Sequence, residues 1–261
     1  MTVESTLFDT HVHLDRPPLR AHVEEEAAAA VAAGVGGFVI PGVHRQGWAG
    51  LLATAGLVQG AFAAPGLHPQ AADQWDEKTA DALAGLLAEP RVVAIGEIGL
   101  DGMPDQPAMR VQEAALRGQL RLAVTAGLPV LIHCRRATER VLTILREERA
   151  ESVGGILHAF SGSIETARQA IDLGFAIGFG GVLTYPNARK APAVLQDLPA
   201  EWIVLETDAP DIAPHPHRSE ANRPAWLALI AAKAARLRGW SLEETAAVTT
   251  ANAHRILNLD G

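Results

Sequence analysis

Short apolar runs alternate with longer Ala/Leu-rich amphipathic stretches along this chain. Eight runs read as strands: Leu7–His13, Val35–Pro41, Val58–Gly66, Val92–Glu97, Val130–His133, Gly155–His158, Phe175–Gly178 and Ile203–Glu206. Between them lie helical stretches at about Ala21–Ala33, Trp48–Ala55, Thr79–Ala88, Gln106–Ala126, Ala137–Ala150, Ile164–Leu173 and Ala188–Leu198. Two more, Pro224–Arg238 and Leu242–Leu257, close the chain, the last opened by the capping-box pattern Ser241-Leu-Glu-Glu244. Strands alternating with helices predict βα units and a parallel sheet. Eight such units predict an α/β (β/α)8 TIM barrel. No repeat, low-complexity tract or linker-like stretch divides the sequence, so one barrel domain over residues 1–261 is expected.

Composition narrows the picture. With 48% hydrophobic residues the chain can form one large core. The single cysteine, Cys134, excludes an internal disulfide and fits a reducing compartment. The N-terminus carries no apolar signal and no apolar run spans a bilayer, so a cytoplasmic protein off the membrane is expected. A net charge of −8 argues against holding long duplex nucleic acid on a broad basic face. It leaves room for a small electropositive site. No obligate protein partner is evident, and a monomer suffices.

The candidate chemistry sits where the predicted strands end, the face that carries active sites in such barrels. Strand 1 runs into His11 and His13. Strand 4 ends on Glu97, strand 5 on His133, strand 6 on His158, and strand 8 on Glu206-Thr207-Asp208. Side chains two apart on a strand share a face, so His11 and His13 are expected to point at one metal. One polar residue closing a strand is an ordinary loop start; four histidines and several acids on one rim are not. Six ligand types exceed the needs of one open catalytic site, so two divalent ions are expected, with Mg, Mn or Zn all compatible with N/O ligation. Glu97 is the candidate bridge, because none of Lys78, Lys190 and Lys233 ends a strand. Asp208 can ligate and accept the proton of the attacking water. Two ions bring four positive charges against two negative ones from Glu97 and Asp208, a balance that suits a phosphate ester.

These blocks resemble the TatD family of metal-dependent hydrolases, within the amidohydrolase-like barrels. The resemblance rests on His11-Val-His-Leu-Asp15, Gly66-Leu-His-Pro69, Gly96-Glu-Ile-Gly-Leu-Asp101, Pro129-Val-Leu-Ile-His-Cys-Arg135, His158-Ala-Phe-Ser-Gly162 and Glu206-Thr-Asp-Ala-Pro210. It covers nearly the whole chain. It implies metal ligands at His11, His13, Glu97, His133, His158 and Asp208. It also implies a deoxyribonuclease or phosphodiesterase that uses metal-activated water on a single-stranded or frayed nucleic-acid end, typically from the 3′ side. There are departures: Gly102 stands where the family often has Tyr, and the late Asn-Glu-Pro reads Asn222-Arg223-Pro224, with the basic run before it thinned to Arg218-Ser-Glu-Ala221.

Other residues divide between roles. His68 is expected on the substrate side of the rim. Arg135 could fork onto a phosphate or pair with a nearby acid. Asp101 is expected to orient a ligand, and Glu206 to lie one layer beneath the metals. Cys134 and Phe160 are expected in the core. Ser161-Gly-Ser163 can cap the following helix or face an anion. His22, His44, His215, His217 and His254 have no strand-end placement. The competing function is a barrel hydrolase of a small cyclic amide, lactone or aminoacyl ester.

Overall fold

The computed structural model describes residues 6–259; the outermost ends of the expected 1–261 domain, with the polar residues 1–5, lie outside them. Eight strands alternate with helices. The strands are β1 (Leu7–Asp9), β2 (Val35–Pro41), β3 (Ala61–Ala64), β4 (Ile95–Asp101), β5 (Val130–Arg135), β6 (Gly155–Leu157), β7 (Phe175–Phe179) and β8 (Ile203–Leu205). The helices are α1 (Val23–Ala32), α2 (Trp48–Leu57), α3 (Glu77–Leu86), α4 (Met109–Ala126), α5 (Thr138–Glu147), α6 (Ile164–Ile171), α7 (Lys190–Asp197), α8 (Leu227–Arg238) and α9 (Leu242–Ile256). All strand pairs are parallel, in the order β1-β2-β3 and β4-β5-β6-β7-β8.

The ladder is interrupted at two seams of the barrel, and single hydrogen bonds span each. Between β8 and β1, Thr10 N–H donates to Leu205 O at 3.1 Å and Asp208 N–H to His11 O at 2.8 Å. The buried Asp9 carboxylate fastens the same seam, accepting from Thr207 N at 2.9 Å and Thr207 Oγ1 at 2.6 Å. Between β3 and β4, Ala63 N–H donates to Arg91 O at 2.7 Å, Val93 N–H to Ala63 O at 3.0 Å and Gly96 N–H to Pro65 O at 3.2 Å.

Parallel strands covered on both faces read as continuous apolar runs, and β4 is buried along its whole length. Phe8, Val39, Leu131, Ile156, Ala176 and Val204, from six strands, pack as one cluster with Ala253, Ile256 and Leu257, so the end of α9 joins the strand cluster. A larger cluster lies between the strands and the helices. In α4, Gln112, Ala115, Leu116, Gln119, Leu120 and Ala123 form the buried face, at helical spacing. Its two glutamines brace strand ends that matter below. Gln112 bonds both backbone groups of Asp101, and Gln119 both of Leu67.

The predicted strand β2 matches its observed span. β1 is shorter than expected, ending at Asp9, because the Asp9 carboxylate also accepts from His11 N at 3.2 Å and turns the backbone out of the ladder. β3 is trimmed at both ends, and β4 begins later and continues past Glu97 to Asp101. Pro224 opens a short 3-10 turn, Pro224–Trp226, ahead of α8 rather than α8 itself. Ser241 caps α9, accepting from Glu244 N at 3.0 Å, which is one half of the expected box.

Candidate metal centre

Glu97 stands where the donors meet. It is 3% exposed, on β4, and its two carboxylate oxygens face two groups of imidazoles. Oε2 is 3.3 Å from His11 Nε2 and 3.8 Å from His13 Nε2. Oε1 is 2.6 Å from His133 Nδ1, 2.8 Å from His158 Nε2 and 3.7 Å from His68 Nε2. Asp208 joins the first group, with Oδ1 3.6 Å from His11 Nε2 and 3.7 Å from His13 Nε2. The His11 and His158 rings stack at 3.9 Å and tie the groups together. Three sets of donor atoms lie within 4.8 Å of one another: His11, His158 and Asp208; His11, His13 and Glu97; His68, Glu97 and His133.

The local sequence makes this convergence possible. Gly99 has φ of 153°, and a Cβ there would run into the His133 carbonyl oxygen, so only glycine lets β4 lie this close to β5. His11 and His13 reach the site from the segment after β1, not from a strand. Their common direction therefore comes from the turn that Asp9 holds, and the strand-alternation argument gives the right partner for a different reason. Asp208 has φ of 57°, a strained backbone fixed by its bond to His11 O.

Behind the donors stands a supporting layer. Asp101 Oδ2 is 3.3 Å from His133 Nε2, on the side of the ring away from Glu97. Glu206 is fully buried, accepts from Ala159 N, and holds Oε1 3.6 Å from His158 Nδ1. Asp101 thus stands behind His133, and Glu206 one layer beneath the donors, where each was expected. Asn222, buried, donates to Thr207 O at 2.7 Å and Asp211 O at 2.8 Å, and so fixes the segment that carries Asp208. Its neighbour Arg223 pairs with Glu26 of α1 at 3.0 Å. Gly102 is explained by space: a Cβ would come within 2.9 Å of Arg136 O.

Charge and burial give these groups opposite protonation states. Burial works to raise the Glu97 carboxyl, but His158, His68, His11 and His133 outweigh it and hold it well below the usual range. Burial lowers His13 well below the ordinary imidazole value and His68 to about 4. Burial also acts to lower His133 and His158, yet Glu97 draws both upward. Burial pushes Asp208 up to about 6, against the pull of His158 and His11. An ionised Glu97 carboxylate beside the neutral imidazoles of His13 and His68 offers lone pairs inward. His11 Nδ1 and Nε2 and His13 Nδ1 are buried with no hydrogen-bond partner. Buried nitrogens left unpaired are costly unless something accepts their lone pairs. The donor set therefore fits divalent cations.

A cavity of about 180 Å³ opens onto these donors, lined by His13, Arg16, Val43, His68, Gln70, Glu97, His133, His158, Asp208 and Asp211. His68 thus lies on the rim as expected. Arg135 does not: the ladder pairs it with Asp101, its guanidinium is 3.9 Å from that carboxylate, and it stays 58% exposed outside the cavity lining. Cys134 is half-buried, with Sγ 3.5 Å from Thr138 Oγ1. Ser163 caps α6, and His217 stacks on Trp226 at 4.1 Å. Arg16, Gln70 and Asp211 were not singled out from sequence. Each follows a strand end or ligand by a few residues, which is the only signal they carry.

The family model described as TatD related DNase matches residues 8–258. The chain belongs to the TatD family. As such it is a metal-dependent hydrolase with a TIM-barrel fold. This TatD-family enzyme is 38% identical to the uncharacterized metal-dependent hydrolase YabD of Bacillus subtilis (strain 168), over 97% of this chain and 100% of YabD. It is 35% identical to the 3′-5′ ssDNA/RNA exonuclease TatD of Klebsiella pneumoniae (strain 342), over 97% and 98% of the two chains. The crystal structure of the TatD homolog YjjV from Escherichia coli K12 superposes with a TM-score of 0.92 at 35% identity, covering 97% of this chain and 98% of that one. Among the described residues no helix is long and apolar enough to cross a membrane.

Proposed function

We propose that the enzyme hydrolyses phosphodiester bonds at single-stranded or frayed nucleic-acid ends, with two divalent ions, Mg, Mn or Zn, held by His11, His13, Glu97, His133, His158 and Asp208. The observation that carries this is the division of the donors by Glu97. One carboxylate oxygen faces His11 and His13, the other His133 and His158, and a bridging carboxylate needs that arrangement. When bound, two such ions supply positive charge and a nucleophilic water at neutral pH. The residues of the chain do the rest. Glu97 and Asp208 offset part of the added charge and leave an excess that suits a phosphodiester anion. Asp208, at the inner edge of the cavity, is the group to take the proton of the attacking water. His68, beside Glu97 on the cavity wall, contacts substrate. Arg135 acts through Asp101, steadying the carboxylate that turns His133. A cavity of about 180 Å³ admits an end group and not a length of duplex. Similarity to the 3′-5′ exonuclease of Klebsiella pneumoniae supports attack from a 3′ end.

The test is direct. Protein purified without chelator should bind close to two metal equivalents, and Glu97→Ala should lose both. With Mg²⁺ or Mn²⁺ it should shorten a 3′-labelled single strand. One equivalent at saturating metal with full activity would refute the paired site. An intact labelled strand alongside turnover of lactones, cyclic amides or aminoacyl esters would move the substrate to that class.

A further inference from the structure

Segments that follow β1, β2 and β3 carry, beside His13 and His68, three polar side chains outside the donor sets around Glu97. Arg16 comes from the first segment, His44 from the second and Gln70 from the third. Arg16 and Gln70 line the cavity, and Gln70 Nε2 lies 3.4 Å from His44 Nε2. Arg16 is the one permanently charged cation in that lining. The same lining carries one carboxylate outside the donor sets, Asp211. The backbone of Arg16 is fixed: Arg16 N donates to His13 O at 3.1 Å, Arg16 O accepts from Arg20 N at 2.8 Å, and two prolines follow. The guanidinium itself has no hydrogen bond or ion pair with any described residue.

That is an unusual state for an arginine in a cleft. Five donors of fixed geometry border the cavity, and no described residue accepts from them. Loading divalent ions nearby makes the position worse, because like charges then face each other across the cleft. An anion between Arg16 and the metal centre relieves both problems. The scissile phosphate is already matched by the donor groups around Glu97, so the anion Arg16 requires is a different one.

We propose that Arg16, with Gln70 and His44 on the same wall, binds a second phosphate of the substrate, the one next to the scissile linkage along the strand. The guanidinium forks onto two phosphate oxygens, and the Gln70 amide and the His44 ring complete the contact. The proposal rests on the nucleic-acid reading above. It predicts that the enzyme measures its substrate by more than one phosphate, and that a single isolated phosphodiester is bound poorly.

The experiment measures binding rather than turnover. The metal-loaded protein is titrated with fluorescein-labelled thymidine oligonucleotides whose linkages are non-hydrolysable phosphonates, and anisotropy is followed across a salt series. One probe carries a single linkage and the other two. The wild-type protein should bind the two-linkage probe about 10- to 100-fold more tightly, the range expected of a charge-assisted contact. Arg16→Ala should abolish most of that difference and reduce the slope of log affinity against log salt by about 0.7, the release expected for one phosphate contact on a single strand. Arg16→Lys should keep the slope and recover part of the affinity, since the charge remains and the fork is lost. Circular dichroism and metal content of each variant separate a lost contact from a lost fold. Equal affinity of the wild-type protein for both probes would overturn the proposal, as would an unchanged slope in Arg16→Ala. Tight two-linkage binding without strand hydrolysis would remove the nuclease reading alone. Hydrolysis indifferent to the second phosphate would remove this subsite alone.

Discussion

Replacing Glu206 by Gln tests whether the layer behind the ligands is part of the metal site. Glu206 lies outside the lining of the cavity that opens onto the metal donors. Its carboxylate accepts from Ala159 N and holds Oε1 3.6 Å behind His158 Nδ1, while His158 Nε2 points at Glu97 Oε1, 2.8 Å away. A negative group 3.6 Å behind the ring favours a proton on Nδ1 and so a lone pair on Nε2 for a metal. Glutamine keeps the shape and the acceptor for Ala159 but removes the charge. Loss of such a partner costs roughly 10- to 100-fold in metal affinity, or about 1.4–2.8 kcal/mol at ~1.4 kcal/mol per tenfold. Metal that binds only the folded state adds stability in proportion to the logarithm of occupancy. The gap in melting temperature between metal-loaded and metal-free protein should then shrink by about 3–10 °C, at roughly 2–4 °C per kcal/mol for a chain of this size. The assay is paired: chelator competition for affinity, and thermal scans with and without metal. The metal-free melting temperature should move little, because the Ala159 bond survives. Wild-type affinity and an unchanged gap in a folded variant would show that Glu206 is only packing, and the reasoning would fail.

Three further outcomes are expected. His11→Ala and His13→Ala should each cost nearly as much activity as the double variant, because half a donor set does not hold an ion; strictly additive losses would deny a shared role. Asp208→Asn should keep the fold and lower turnover by about 10²–10⁴-fold once metal content is matched, the usual worth of a positioned base, and near-normal turnover would leave Asp208 at most a ligand. The third concerns Asp9, whose carboxyl burial raises from 3.8 to about 8 despite hydrogen bonds from Thr207 and His11. The unfolded chain ionises at the lower value and the folded one resists, so this group withdraws stability as pH climbs from about 4 to about 8. Asp9→Asn should flatten that part of a urea-midpoint profile in metal-free protein, and an unaltered slope would count against a raised Asp9.

The barrel was legible because eight apolar runs are separated by stretches of helical period, and hydrophobic burial follows that pattern wherever the ends fall. The ends were less legible. Nothing local says that Asp9 will stop β1, since its partner Thr207 is almost two hundred positions away. The candidate ligands Glu97, His133 and His158 could be read because each falls within a residue of a predicted strand terminus. For Arg135 the sequence left a phosphate contact and an ion pair to a nearby acid open, and the structure places it beside its ladder partner Asp101, because pairing across strands is invisible in one sequence. Arg16, Gln70 and Asp211 reach the cavity from loops whose paths depend on the whole rim.

The two seams of the barrel bear on how long the protein survives. His11 and His13 lie on one side of the β8–β1 seam and Asp208 on the other; His68 and Glu97 straddle the seam between β3 and β4. An ion held in either group is a clasp across a joint that the backbone leaves thinly bonded. Without it, the margins of both sheets are free to part and offer bare strand edges to proteases and to other chains. Metal starvation would thus silence the enzyme and also shorten its life, so that the amount present in a cell follows the supply of the ion it uses.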